Sequence, residues 1–202
     1  MSGKTITQEF GTYFEGTFDG RGYTISNLTL SSRIWRYSAC GTFKNVAFLN
    51  TNQTLSAGGL LFGEQYNPNM TERLVTIENV YVHYSNYKND GNVGALVQGF
   101  AKAGVNNSIK NVVIVIDNVL ADITKPVVAF SGPANLSDVY VVSSNATKLL
   151  ASSTDSTGIY TSQSAFDTVV AGWTNTSDSI GAFSKDLWTI NNGKLVMKSM
   201  LS

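Results

Sequence analysis

The side chains that could act as an acid–base pair in this chain are fourteen carboxylates spread singly over 202 residues. Hydrolysis of a glycosidic bond needs two carboxyl groups about 5 to 9.5 Å apart, yet no two acidic residues are adjacent or separated by one residue. Asp117 and Asp122 are a pair that could meet in space, but the sequence favours structural roles for both. Asp19 lies between glycines, where a turn hydrogen bond explains a carboxylate. We therefore predict no catalytic residue and no enzymatic activity.

The only histidine, His83, follows Val82 in a run typical of a strand. A single histidine excludes the usual zinc ligand sets, and a Ser-His-Asp triad would need a nucleophile-elbow pattern that the sequence lacks. Tyr81, Tyr84 and Tyr87 flank His83, so we predict an aromatic cluster near one loop. This cluster is a candidate for stacking on sugar rings or for a protein interface, where tyrosine is enriched, and the sequence leaves both open.

Cofactor and metal sites are not indicated by the sequence. Cys40 is the only cysteine, so no intrachain disulfide can form, and its small neighbours predict a buried structural residue. No glycine-rich loop matches the phosphate-binding or dinucleotide-binding signatures. We predict no cofactor and no bound metal.

The composition points to a polar surface with few charges. Charged residues make up 14% of the chain, against about 25% in an average soluble domain, and the formal net charge is zero. This balance excludes the basic footprint of a nucleic-acid partner, and no apolar run approaches the ~20 residues that span a bilayer. The first residues lack a signal-peptide core. We therefore expect either a protein that leaves the cell without a standard signal, as a phage particle does on lysis, or a fragment.

A repeat organises the elements that must position these residues. Segments that read apolar, polar, Asn or Asp, Val or Leu, any residue, apolar occur five times, at 25–30, 43–48, 77–82, 109–114 and 136–141. Short apolar runs that end in glycine lie between them, at 58–63, 94–99 and 127–132. Units of about 20 to 35 residues cannot bury their apolar faces alone, but stacked units form one continuous core.

The repeat predicts an all-β solenoid of parallel strands. Asn tolerates left-handed backbone angles and suits the corner between two strand pieces. Stacked units would align five such residues into a hydrogen-bonded ladder of side chains: Asn27, Asn45, Asn79, Asn111 and Asp138. A β-sandwich is the alternative, because it too contains many short strands.

From about residue 151 the repeat is lost. We predict a parallel β-helix domain over residues 1–150 and a C-terminal cap over 151–202 that packs on the same domain. A cap is expected because the terminal units of a solenoid expose apolar core and unpaired strand edges. Asn192-Gly193 between two apolar runs predicts a closing β-hairpin, and Trp173, Phe183 and Trp188 have the bulk that a cap requires.

The segment from Phe14 to Leu28 resembles the opening unit of right-handed parallel β-helix modules in bacterial surface and adhesin-like proteins and in phage virion proteins. The glycine-closed runs are similar to the GLUG-type repeats of that group. Near the closing hairpin the family often has Pro, whereas this chain has Lys194. The resemblance covers roughly residues 10–142 and the hairpin.

The resemblance implies a right-handed parallel β-helix, a fold that hosts adhesins, capsid parts and polysaccharide-cleaving enzymes alike. We expect a non-catalytic structural or attachment module, with a phage virion component such as a decoration, fibre or spike part as the first choice. The alternatives are a bacterial cell-surface adhesin fragment that binds glycan or protein, and a polysaccharide depolymerase with an intersubunit site. The expected partners are other protein subunits, in a homo-oligomer or a virion, or a surface glycan. The expected location is a virion surface or the cell exterior.

Overall fold

The structure, a computed structural model, describes residues 5–55, 57–65, 74–88, 92–100, 107–120, 126–150 and 157–201. Its strands are β1 Thr5–Ile6, β2 Gly11–Asp19, β3 Thr24–Ser26, β4 Thr29–Leu30, β5 Trp35–Gln53, β6 Ala57–Gly58, β7 Phe62–Gln65, β8 Val75–Tyr87, β9 Asn92–Val93, β10 Val97–Gly99, β11 Ser108–Val119, β12 Ala129–Ser131, β13 Asn135–Val142, β14 Ile159–Tyr160, β15 Ser179–Ile180, β16 Phe183–Ser184, β17 Trp188–Asn191 and β18 Lys194–Met197. An α-helix, α1, spans Gln163–Ala171 and a 3₁₀ helix spans Lys198–Leu201. No helix in the described part of the chain has the length and hydrophobicity needed to cross a bilayer. Strands dominate, so the predicted all-β class is confirmed.

Most strands belong to one parallel sheet that curls into a half-barrel. The long strands β5, β8, β11 and β13 lie side by side in register, which places in one row Val46, Val80, Val112 and Val139. The strand β2 joins the other side of β5, and β7, β10 and β12 form a second parallel series. We call each level of this stack a rung. Antiparallel strand pairs in the described residues are confined to the β15–β16 and β17–β18 hairpins, unlike the antiparallel sheets of a β-sandwich.

The inner face of the half-barrel buries a continuous apolar core. Phe43, Ile77 and Ile109 stack from rung to rung in equivalent positions and are fully buried. Burying one such side chain stabilises the fold by about 1.5–3 kcal/mol. Because equivalent positions face the same core, the chain repeats the same type of residue there, and this produces the repeat in the sequence.

A left-handed corner explains how each repeat turns two apolar residues to the same face. The corner residues of the four long rungs have φ between +52° and +57°, and they are Asn45, Asn79, Asn111 and Asp138. Such a residue interrupts the alternation of a strand, so Phe43 and Val46 both face the core although three positions separate them. Asn and Asp adopt these angles more readily than other residues with side chains.

The residues 163–201, here called the flank segment, cover the outer face of the sheet. Phe166, Phe183 and Trp188 of this segment are fully buried against outward-facing residues of the sheet, among them Ala47 and Tyr81. The flank segment therefore forms a second apolar cluster on the side of the stack. It lies there because the outer face is itself apolar along this strip.

The flank segment reaches from the first rung to the last. At one end the Thr24 hydroxyl donates a hydrogen bond to the Ser199 hydroxyl at 2.8 Å. At the other end the rings of Tyr160, on β14, and Phe166, on α1, have centroids 5.2 Å apart. The segment thus covers the side of the stack, which differs from a cap placed over its end. The domain boundary at residue 150 stays a prediction.

The β17–β18 hairpin closes at Asn192-Gly193. Asn191 pairs with Lys194 across the turn, and Asn192 and Gly193 have φ of +50° and +81°. Positive φ at both central residues is what a type I′ hairpin turn requires, and Asn-Gly is the sequence that this turn favours.

Candidate functional site

A groove on the side of the stack collects polar side chains from distant parts of the sequence. This groove, here called the flank groove, has a volume of about 490 Å³ and lies between the outer face of the sheet and the flank segment. Its polar residues include Asn50, Tyr81, His83, Asp117, Ser162 and Lys194. We treat it as the candidate functional site because an imidazole, a carboxylate, an amide, hydroxyls and an ammonium group meet there.

The strand register brings His83 and Asp117 together. His83 pairs with Val115 on β11, so Asp117 lies two residues further along the neighbouring strand and on the same face. His83 Nε2 and Asp117 Oδ2 are 2.8 Å apart. The side chains are 22% and 53% exposed, respectively, so water and salt screen the pair and it contributes at most about 1 kcal/mol to stability. The pair therefore contributes little to holding the fold.

The hydroxyl of Ser162 is used by the fold. Its Oγ accepts a hydrogen bond from the backbone N–H of Ala165 at 3.2 Å, which caps the N-terminus of α1. His83 Nε2 likewise faces Asp117. Nucleophilic catalysis needs a hydroxyl or thiol within hydrogen-bond reach of its base. In the described part of the chain, the hydrogen bonds of Ser162 lead to Ala165 and Ser164 and that of His83 leads to Asp117, so they do not link the two side chains to each other.

Tyr81 forms a buried part of the flank groove. Its ring packs against Trp188, with centroids 6.4 Å apart. Burial raises the pKa of Tyr81 well above its usual value, and the negative charges of Asp117 and Asp167 raise it further. The phenol therefore stays protonated at neutral pH and can donate a hydrogen bond.

Tyr84 and Tyr87 do not belong to the flank groove. Both side chains are fully buried on the inner face, and the Tyr84 hydroxyl donates to the backbone oxygen of Ala95 at 2.5 Å. The predicted cluster of three tyrosines with His83 therefore does not form a surface. Strand alternation turns Tyr84 inwards while Tyr81 and His83 face outwards, and these two residues remain the candidates for a glycan or interface contact.

A row of polar side chains, here called the corner row, follows the left-handed corners along the stack. Asn79 Nδ2 donates to Asn45 Oδ1 at 3.2 Å, and Asn111 Nδ2 donates to Asn79 Oδ1 at 3.3 Å. Asp138 occupies the equivalent corner of the next rung. Each asparagine thus supplies a donor to the rung before it, and such a chain of hydrogen bonds favours one register.

Asn27 lies outside the corner row, which corrects the predicted ladder. The strand β3 pairs with residues 47–49 of β5, so Asn27 lies beside Asn50, whose Nδ2 donates to Asn27 Oδ1 at 3.3 Å. The first member of the row is Asp19, whose Oδ1 accepts from Asn45 Nδ2 at 3.0 Å. Asp19 and Asn45 are 26 residues apart, against 34 and 32 residues between the later members, so the first rung is shorter than those that follow.

Asp19 also makes the turn hydrogen bond that its glycine neighbours predict. The backbone N–H of Arg21 donates to Asp19 Oδ1 at 2.8 Å. This bond, together with the Asn45 amide, holds the pKa of Asp19 below its usual value. A side chain at Gly20 would place its Cβ 2.5 Å from the Cβ of Val46. The first rung therefore needs glycine at its corner and supplies the polar side chain from the preceding position.

The far end of the corner row has an acceptor without a donor. Asn111 is 7% exposed, and its Oδ1 has no hydrogen-bond partner among the described residues. An ionised carboxylate has no proton to donate, so Asp138 does not complete the row. The Asp138 oxygens instead accept hydrogen bonds from the hydroxyls of Ser137 at 2.8 Å and Tyr140 at 3.4 Å.

The other residues singled out in the sequence add no second site. Asp122 lies outside the described residues, so its pairing with Asp117 stays a prediction. Cys40 is half-buried rather than fully buried. Within the described ranges, no group of three or more His, Cys, Asp or Glu side chains is placed to hold a metal ion.

Comparison with known proteins gives no relative from which a function could be transferred. No protein-family model, no curated protein and no solved structure matches the chain. The resemblance to β-helix modules with GLUG-type repeats therefore stays an expectation, and a function must be argued from the geometry.

Proposed function

We propose that the chain is a right-handed parallel β-helix that serves as a non-catalytic structural or attachment module on an exposed surface. The surface that we propose is a phage virion, where the chain would be a decoration, fibre or spike part. What supports this role is the stack itself, with its parallel register, continuous apolar core and hydrogen-bonded corner row. Each rung pairs with its neighbours through long parallel strands, so the rungs share one continuous core.

The charges on the outer face support an exposed position. Lys44, Glu78 and Lys110 occupy equivalent positions, so opposite charges alternate from rung to rung. Opposite charges placed directly across from each other stabilise strand pairing, and their alternation leaves no large field of one sign. A surface without such a field attracts nucleic acid and membranes weakly, which suits a particle that meets many other molecules.

Immunogold electron microscopy tests this location. Antibodies raised against the purified chain would be applied to cells and to purified particles from the source culture. We expect label on the particle surface, and we expect that pre-absorbing the antibody with the chain removes it. Label confined to the cell interior, with none on particles, would contradict the proposal.

The flank groove favours one second candidate, an adhesin that binds glycan. Ligand sites combine apolar walls with a few placed polar groups, and the groove offers Val115 and Val142 beside His83, Asp117 and Lys194. A glycan array tests this function with the wild-type chain and the His83→Ala variant. We expect a saturable signal that the substitution abolishes and that Asp186→Asn, at an exposed site elsewhere, leaves unchanged. Binding that His83→Ala does not affect argues against the groove, and cleavage of an arrayed polysaccharide supports a depolymerase.

A further inference from the structure

One part of the outer face is polar and accessible to solvent, namely the strip of β2, β5, β8 and β11 that precedes the left-handed corners. This strip, here called the ladder face, carries two parallel rows of side chains that point away from the core. The hydroxyl row consists of Thr17, Thr42, Thr76 and Ser108, and the charge row consists of Asp19, Lys44, Glu78 and Lys110. All eight residues are among those that the structure describes, and none of them is buried. The flank segment packs beyond the corners, on Ala47 and Tyr81, so it leaves the ladder face to solvent.

The signs in the charge row alternate along the stack. From the first rung to the fourth they read minus, plus, minus, plus. Lys44 Nζ and Asp19 Oδ2 are 4.0 Å apart, so these neighbouring rungs attract each other weakly within the chain. An alternating row with an even number of charges reads plus, minus, plus, minus in the reverse order. The charge row is therefore complementary to a reversed copy of itself.

We propose that the ladder face binds a second copy of this chain, in a dimer whose two stacks lie face to face and run in opposite directions. A two-fold axis parallel to the strands, midway between β5 and β8, produces this arrangement. It places Asp19 opposite the partner's Lys110. It also places Lys44 opposite the partner's Glu78, and the symmetry repeats both pairs. The hydroxyl row then faces the hydroxyl row of the partner, so that hydroxyls meet groups that can both donate and accept hydrogen bonds.

The charge row disfavours the other way of placing two copies face to face. A two-fold axis along the stack keeps equal rungs opposite each other. Lys44 would then face the partner's Lys44, or it would face the hydroxyl row and lose its water without gaining an opposite charge. Like charges placed opposite each other repel, and such repulsion excludes wrong arrangements at an interface. The alternation thus selects the reversed orientation.

The size of the ladder face predicts a weak dimer. Four rungs about 4.8 Å apart and about five residues of each strand give a contact of roughly 300 Å² on each copy, below the area of a stable interface. Leu74, with 48% of its surface exposed, lies beside Cys40 on the neighbouring strand and would lie opposite the partner's Cys40, which adds apolar burial. Charge complementarity determines orientation more than affinity, so we expect a dissociation constant on the order of 100 μM.

An exchange of charge between two variants tests the contact. Lys44→Glu and Glu78→Lys each place like charges opposite each other twice in a dimer of identical copies, so each dissociation constant should rise at least about tenfold. In an equimolar mixture the two substituted positions face each other with opposite signs, and the mixed dimer should form with about the wild-type constant. Sedimentation equilibrium at up to about 1 mM chain would measure the wild type, each variant and the mixture.

The matched controls change the net charge by the same amounts at exposed positions outside the two rows. They are Lys148→Glu and Asp186→Lys, which should keep the wild-type constant alone and when mixed. Circular dichroism would confirm that each variant is folded. A measurement on the wild type alone needs no variant: its dissociation constant should rise at least about threefold between about 50 mM and 500 mM NaCl, because salt screens the facing charges.

Three results would overturn the inference. They are a wild-type chain that stays monomeric at about 1 mM, folded Lys44→Glu and Glu78→Lys variants that each dimerise as tightly as the wild type, and a mixture that dimerises no more tightly than either variant alone. The dimer is formed by the ladder face and does not depend on the proposed location. Immunogold label on particles without a dimer in solution would therefore leave the proposed function standing and remove only the dimer.

Discussion

The inner and outer faces of the same parallel sheet bury their residues in different ways. On the inner face one residue type recurs in the row Val46, Val80, Val112 and Val139. On the outer face the equivalent positions hold unlike residues, namely Ala47, Tyr81, Val113 and Tyr140. Rings of the flank segment cover this uneven strip. The inner face thus sets a register that any similar rung could share, whereas the outer face fits one particular segment.

The largest loss of stability is expected when one buried aromatic ring is removed from either face of the sheet. Phe43 and Trp188 are both fully buried, so Phe43→Ala and Trp188→Ala should each lower the free energy of unfolding by about 3–5 kcal/mol. Phe43→Ala should destabilise the whole chain in one transition. Trp188→Ala should release the flank segment first, because this ring belongs to the outer cluster. Urea unfolding followed by circular dichroism, together with native-state hydrogen exchange of α1, would distinguish the two variants. Unchanged hydrogen exchange of α1 in Trp188→Ala would contradict the expected difference between the inner and outer faces.

A substitution in the corner row should have the next largest effect. Asn79→Ala leaves Asn45 Oδ1 and Asn111 Nδ2 without their partner, which should cost about 1–3 kcal/mol, and it adds the cost of a left-handed alanine, about 1–2 kcal/mol. Asn79→Gly removes the same hydrogen bonds but tolerates the backbone angle. Denaturant midpoints should therefore fall in the order wild type, Asn79→Gly, Asn79→Ala. Equal midpoints for the two variants would show that the φ of +52° at this corner does not limit stability.

Completing the row should stabilise the chain. Asp138→Asn supplies an amide donor for Asn111 Oδ1, which lacks a partner among the described residues, and a buried hydrogen bond of this kind contributes about 1 kcal/mol. Differential scanning calorimetry at neutral pH would measure the gain as a rise in Tm. Asp186→Asn is the control, since exposed substitutions usually change stability by less than about 0.5 kcal/mol. A fall in Tm for Asp138→Asn alone would mean that the carboxylate has a role at this end of the stack that an amide cannot fill.

The titration of Asp19 should give the smallest effect. Because the folded state holds the pKa of Asp19 below its usual value, its contribution to stability is present above about pH 4 and is lost as the pH falls through the lower folded value. Asp19→Asn keeps an acceptor for Asn45 and removes the titration. Between about pH 5 and pH 2 the wild type should lose slightly more stability than the variant, as measured by urea midpoints at each pH. Parallel curves for the two proteins would contradict this assignment.

The inner face was predictable because repetition places one residue type at each rung. The pattern around Asn45, Asn79 and Asn111 follows from three spaced segments and needs no knowledge of distant contacts. The register of the first rung was not predictable from the same pattern: Asn27 fits it, but the short first rung places Asn27 beside Asn50. The contacts of the outer face could not be predicted from the sequence, because pairs such as Tyr81 and Trp188 share no sequence pattern and lie far apart in the chain.

A stack held only by contacts between neighbours can come apart from either end, one level at a time. The flank segment alters this behaviour, because it holds the first level through Thr24 and Ser199 and the last through Tyr160 and Phe166. Either end would therefore have to break its contact with the flank segment before it could separate from the sheet. Resistance of the folded chain to shear, detergent or protease would then depend on how fast the flank segment detaches from the sheet. The lifetime of the fold would be set by this rate more than by the equilibrium free energy of unfolding.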